Sequence, residues 1–119
     1  MFKLKNKFKA IKQNGFDSKL ENAVHEILKL RVLAGEFVEI IKQPRVDLVC
    51  GIKWRVDFQC VKPDGESIFV EAKGFETEPY RLKKKLWNGF GPGVLEIWKG
   101  SARKPYCDEI LKMGKNEKI

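Results

Sequence analysis

Trp54-Arg55-Val56-Asp57-Phe58 and Phe69-Val70-Glu71-Ala72-Lys73-Gly74 are the two stretches on which the reading of this chain turns. Residues 52–61 form the longest strand candidate, Pro63-Asp64-Gly65-Glu66 is a strong turn, and residues 67–73 form the next strand, closed by Gly74. Side chains two apart on a strand share a face. Glu71 and Lys73 therefore point one way, and Val70 and Ala72 the other. Asp57 shares its face with Arg55 and Gln59, while Trp54, Val56, Phe58 and Cys60 occupy the opposite one. Paired as a hairpin, the two segments bring Asp57 beside Glu71. Aspartate is disfavoured inside strands, so its presence mid-strand asks for a reason.

The flanking segments change period. Ser18 and Glu21 match a capping box, which places the start of a first helix near Ser18. Leu20, Ala23, Val24, Ile27, Leu28 and Leu30 then recur at helical spacing, and Gly35 is a terminator. Phe37–Ile41 is short and β-prone, Pro44 breaks it, and Val46–Cys50 reads as a strand turning at Gly51. Three strands thus run consecutively as an antiparallel meander. Thr77-Glu78-Pro79 opens a second helix that continues through Tyr80, Leu82, Lys83, Leu86, Trp87 and Phe90. Gly89, Gly91, Pro92 and Gly93 end it; Val94–Trp98 is another strand, and residues 106–112 read as a final short helix. A helical crossover between strands favours parallel pairing. The fold class expected is α/β: a mixed α+β sheet flanked by helices, in the order helix, three strands, helix, strand. Residues 1–15 read as a basic N-terminal arm, either a tail that orders on a partner or a short packed strand, and 16–119 as the domain.

A chain of 119 residues with 43% hydrophobic content supports one folded domain. No apolar run approaches the roughly 20 residues of a membrane helix, and no apolar signal core follows the basic start, so a cytoplasmic protein without membrane contact is expected. The formal charge of +8 is large for this size and favours polyanionic partners, nucleic acid above all. It is concentrated in Lys3, Lys5, Lys7, Lys9 and Lys12, and again in Arg81, Lys83, Lys84 and Lys85. Three widely spaced cysteines argue for reduced thiols, and without a Cys-x-x-Cys pair a structural zinc site is not expected. One histidine, His25, excludes a metal site built on several imidazoles. No phosphate-binding Gly-x-x-x-x-Gly-Lys loop and no Cys–His or Ser–His arrangement is visible.

What remains is oxygen and ammonium chemistry. Two carboxylates and one ammonium, from Asp57, Glu71 and Lys73, suit a hard cation and a water held next to a phosphate. The bland reading of each is a solvent-facing ion pair on a wet strand, worth little. Glu21 either caps the first helix through Ser18 or supplies a fourth polar group near the metal. His25, one turn later on the same helical face, either touches substrate or is a partly buried structural residue. Trp54, Trp87 and Trp98 are core candidates.

With Asp57 followed by Glu71-Ala72-Lys73, the element order resembles the PD-(D/E)XK nuclease superfamily, whose members include restriction enzymes, junction-resolving endonucleases and transposon end-cleaving nucleases. Phe16-Asp17-Ser18-Lys19-Leu20-Glu21 resembles the first helix of its small phage-type members. The similarity spans roughly Phe16 to Lys99, and Val56 stands where the family carries a proline. The resemblance implies a restriction-endonuclease-like core and a metal-dependent endonuclease hydrolysing DNA phosphodiester bonds, with branched or Holliday-junction DNA as a substrate class and a homodimer as an assembly. It implies a phage- or mobile-element-encoded protein acting in a host cytoplasm. It further implies that Asp57, Glu71, the Ala72 backbone carbonyl and Glu21 hold Mg2+ or Mn2+, that Lys73 orients or deprotonates the attacking water, and that the two lysine clusters grip phosphates. The rival class is a non-catalytic basic nucleic-acid-binding protein on a nuclease-like fold.

Overall fold

The computed structural model describes residues 2–112, with side-chain surroundings from residue 18 onward. The elements are α1 (Phe2–Leu33), β1 (Glu39–Lys42), β2 (Arg45–Asp47), β3 (Lys53–Arg55), β4 (Phe58–Val61), β5 (Ser67–Ala72), α2 (Glu78–Phe90), β6 (Val94–Gly100) and β7 (Pro105–Leu111). The side chains of Lys3, Lys5, Lys7, Lys9 and Lys12 lie outside the described residues.

Five strands form the main sheet in the order β1-β4-β5-β6-β7, and β2 and β3 form a separate two-stranded ribbon. Pairing is antiparallel throughout except between β5 and β6, which are parallel and joined by α2. The mixed α/β class read from the sequence is therefore the observed one. Three local readings are corrected. Residues 52–61 are not one strand: the chain breaks at Val56 and Asp57, leaving β3 in the ribbon and entering β4 in the sheet. The meander consists of β1, β4 and β5, with the ribbon as an excursion between its first two strands. Residues 106–112 are not a helix: most of that span belongs to β7, an antiparallel edge strand closing on β6. The apolar spacing of Tyr106, Ile110 and Leu111 fits a helix, but Tyr106 and Ile110 are exposed and only Leu111 is buried. Finally, Ser18 lies inside α1 and cannot cap its N-terminus.

The sheet separates two apolar cores, and β5 serves both by strict alternation. Val70 and Ala72 join Leu20, Val24 and Leu28 of α1 with Phe37, Phe58 and Cys60. Phe69 joins Tyr80 and Trp87 of α2, together with Leu95, Ile97 and the ribbon residues Val46 and Trp54. The ends of the helices are fixed by specific contacts. Gly35, at φ +90°, closes α1 as the Glu36 N–H donates to the Arg31 carbonyl at 2.9 Å. Arg31 then bonds Glu36 and the buried Glu96 of β6, with its guanidinium 4.7 Å over the Phe37 ring. Thr77 caps α2, its hydroxyl accepting from the Tyr80 N–H at 3.3 Å. At the other end a Cβ on Gly91 would lie 2.6 Å from the Trp87 ring, so only glycine lets the chain turn there.

Trp87 is the keystone of the α2-side core. It is fully buried, donates from its indole nitrogen to the Gly93 carbonyl at 2.8 Å, and meets Trp54 and Phe69 edge-on. Truncating a buried aromatic costs about 3–5 kcal/mol through lost burial and the cavity left behind. Trp87→Ala should therefore lose stability of that order in urea melts, with Leu82→Ala, an exposed position on the same helix, nearly silent.

Candidate active site

Asp57 stands at the point where the chain changes sheets, and three hydrogen bonds hold it there. Its carbonyl accepts from the Gln43 N–H at 2.8 Å, a residue held at φ +51° at the root of the ribbon. Its N–H donates to the Glu71 carboxylate at 3.1 Å, and its own carboxylate accepts from the Ala72 N–H at 2.8 Å. The last two run in opposite senses between the β3–β4 junction and the end of β5. Aspartate is thus not a guest in a strand interior. It occupies a bend whose backbone groups the sheet ladder does not use, and its side chain satisfies a donor on the neighbouring strand.

Glu71 lies on the Phe69 side of β5 and is only 6% exposed. Burial is the largest influence on it and the Asp57 charge the next; together they raise its carboxyl well above the ordinary carboxylate range. The Asp57 N–H and Lys73 pull the other way, and Glu21, reaching from α1, adds to the rise. Asp57, Lys73 and Glu21 are therefore each within electrostatic reach of Glu71, Glu21 contributing least. Ala72, the last residue of β5, sits between Glu71 and Lys73 and is tied to Asp57 through its N–H.

Lys73 follows the strand. Its N–H donates to the Trp98 carbonyl at 2.9 Å, and its ammonium lies 5.3 Å from the centre of the Tyr80 ring. It forms no salt bridge among the described residues. Lys84, one of the cluster read as a phosphate grip, is placed differently. It bonds both Glu76 and Glu109 and lies 5.8 Å from the same ring. Glu76 also receives Lys99 at 2.6 Å and Arg81 at 3.5 Å. Lys99, then Lys84, holds the Glu76 carboxyl down to about 2. Glu76, Glu109 and this ion network carry no motif and are not legible in the sequence. Lys83 is half-buried and Lys85 exposed. His25 stacks on Phe58 at 5.1 Å and is lowered by burial and by Lys42, which assigns it to packing between α1 and β4.

Among the described residues, no three His, Cys, Asp or Glu side chains form a ready-made metal cage. The donor set at the end of β5 is smaller and harder: two carboxylates with a main-chain carbonyl beside them, one carboxylate buried against the other. Mg2+ is characteristically held by one or two carboxylates with waters and phosphate oxygens completing its shell, so these residues fit such an ion.

The raised carboxyl of Glu71 has a consequence for stability. A group that holds its proton more tightly in the folded state than in the unfolded chain loses stability for the fold as pH climbs from its unfolded value through its folded one. Glu71→Gln keeps an oxygen to accept the Asp57 N–H and cannot ionise. In the presence of a chelator it should be more stable than wild type at about pH 7, and the difference should close towards about pH 4, where the carboxyl is protonated in both states. Urea melts at the two values measure this, and a variant weaker than wild type at the higher pH would contradict it.

Comparison with curated proteins finds no match, nor does comparison with solved structures. Among the described residues no helix is long and apolar enough to cross a membrane. Residues 1–104 match the family described as protein of unknown function (DUF1064), and the chain belongs to that family.

Proposed function

We propose that this protein is a metal-dependent endonuclease acting on DNA, with a restriction-endonuclease-like core and the end of β5 as its catalytic site. The observation that carries the reading is the buried Glu71 carboxylate held against Asp57, with an ammonium from Lys73 nearby that forms no salt bridge among the described residues. Packing two carboxylates together at the rim of an apolar core costs stability. A structural role would be served as well by an amide, whereas a divalent cation repays the cost directly.

Asp57, Glu71 and the Ala72 carbonyl would hold Mg2+ or Mn2+, with Glu21 holding a water or second ion. When bound, the ion neutralises phosphate charge and acidifies a coordinated water. Lys73 supplies what the carboxylates cannot: a positive charge beside the reacting phosphate, and a donor that holds or relays a proton on the attacking water. Lys83, Lys85 and the N-terminal lysines would carry the neighbouring phosphates, and a second copy of the chain would bring a second cutting centre to a branched substrate. Lys84, spent on Glu76 and Glu109, contributes to that grip only by exchanging partners.

Supercoiled, linear and four-way-branched DNA incubated with Mg2+ or Mn2+ provide the test. Wild type should cleave at least one of them, while Asp57→Asn and Lys73→Ala each lose a factor of about 10²–10³ or more, the scale on which removing one electrostatic stabiliser acts. Binding of catalytically dead protein to DNA should weaken steeply with salt as lysines release counterions. Tight, salt-sensitive binding without cleavage under any metal would turn the reading to the non-catalytic nucleic-acid binder.

A further inference from the structure

We infer that Tyr80 is the positioning residue for Lys73: its ring is a seat that fixes the ammonium beside Asp57 and Glu71 without neutralising it. The inference rests on the catalytic reading of the β5 end and goes beyond it, because nothing in the sequence pattern of Asp57 and Glu71-Ala72-Lys73 points to Tyr80.

A lysine on four rotatable carbons is a poor catalytic group unless something holds its head. The usual holder is a carboxylate, but an ion pair spends the charge that the reaction needs. Lys73 has two acidic neighbours and forms no salt bridge among the described residues; its ammonium rests over the face of Tyr80 at 5.3 Å. A cation over an aromatic face is attracted by the ring quadrupole, and more so when partly desolvated. That attraction restrains the ammonium while leaving its protons free for a phosphate oxygen or water.

The ring is built to be rigid. Tyr80 is 5% exposed, meets Trp54 edge-on at 5.5 Å, and sits in the first turn of α2, where its N–H is capped by Thr77. Lys84 approaches the same ring at 5.8 Å, but Glu76 and Glu109 neutralise it, so two ammonium groups share one ring without competing charges. The Tyr80 hydroxyl is buried and has no hydrogen-bond partner among the described residues. Burial, then Glu71, Glu76, Glu109 and Asp57, push it far above its ordinary titration range, so it stays neutral at every working pH. A buried, unpartnered hydroxyl costs stability, which makes the aromatic face the part of Tyr80 that earns its place.

The decisive experiment separates ring from hydroxyl and seat from chemistry. Lysine-labelled protein is examined by NMR, with Lys73 assigned by Lys73→Arg, alongside single-turnover cleavage by wild type, Tyr80→Phe and Tyr80→Leu. In wild type the Cε protons of Lys73 should be shifted upfield by the ring; an unshifted resonance overturns the seat whether or not any variant folds. Tyr80→Phe should fold at least as stably as wild type, keep the shifted resonance and retain most of the turnover. Tyr80→Leu should lose the shift and about 10²-fold in kcat, the cost of a small misplacement of a reacting group, with KM for DNA unchanged. A folded Tyr80→Leu with wild-type kcat overturns the positioning role, as does a Tyr80→Phe as impaired as Tyr80→Leu. Wild type that cleaves no DNA yet shows the shifted resonance sinks the nuclease reading and leaves the seat intact.

Discussion

Two hydrogen bonds running in opposite senses join the β3–β4 junction to the end of β5, from the Asp57 N–H to Glu71 and from the Ala72 N–H to Asp57. The site exists because of them. At this point the chain leaves one sheet for another, so the ladder cannot satisfy the backbone groups of residues 56 and 57. Val56 turns to the Pro44 carbonyl and Asp57 to Gln43 and Glu71. The side chains of Asp57 and Glu71 thus take over work that a β-ladder does elsewhere. The same geometry forces two carboxylates together at the margin of an apolar core. Structure and charge make opposite demands on Glu71: its oxygen is needed as an acceptor, and its negative charge is expensive there. An amide would meet the first demand without the second. A carboxylate at this position is the strongest physical argument for the proposed use of its charge.

The two cores explain why this conflict is tolerated. β5 is buried on both faces, as expected of a central strand paired in parallel on one side. Val70 and Ala72 anchor it to α1, Phe69 to α2, and Glu71 falls where alternation requires a residue on the α2 side. The strand cannot shift register by one residue without driving Glu71 into the α1 core and Val70 out of it. Packing several residues away therefore fixes the carboxylate. The same alternation carries Lys73 onto the Tyr80 side, so the placement of the ammonium follows from the placement of the core.

This logic also marks what could be read from the chain and what could not. The period of two in Phe69–Lys73 states which side chains share a face, and Thr77-Glu78-Pro79 states where α2 begins; both depend on local chemistry alone. The helical crossover implied the parallel pair correctly for the same reason. The break at Asp57 was hidden because residues 52–61 alternate as one strand would, although Trp54 and Val56 pack on the α2 side and Phe58 and Cys60 on the α1 side. A change of sheet keeps the alternation and swaps the partner, and partners are long-range information. β7 was misread for a related cause: Tyr106, Ile110 and Leu111 have helical spacing, but an edge strand need bury only one of them. The ion network on Glu76 was invisible because its members come from the β5–α2 loop, α2, β6 and β7 and share no spacing.

The contrast between Lys73 and Lys84 shows how far net charge can mislead. Both are ammonium groups against the Tyr80 ring, and a composition count treats them alike. Lys84 is clamped by two carboxylates, so withdrawing it to meet a phosphate would take a partner from Glu109 and leave Glu76 to Lys99 and Arg81. Lys73 carries no such debt among the described residues. A cation already committed to ion pairs must lose them before it can bind an anion, and the two terms largely cancel. A cation held by an aromatic face gives up little on meeting phosphate, since the ring attraction persists while the new bonds form. Of the two ammonium groups against the Tyr80 ring, the one that costs less to use therefore stands beside the acidic pair. On the proposed nuclease reading, the surplus of +8 would draw a polyanion to the surface, and Lys73, which forms no salt bridge among the described residues, would be where that attraction becomes chemistry.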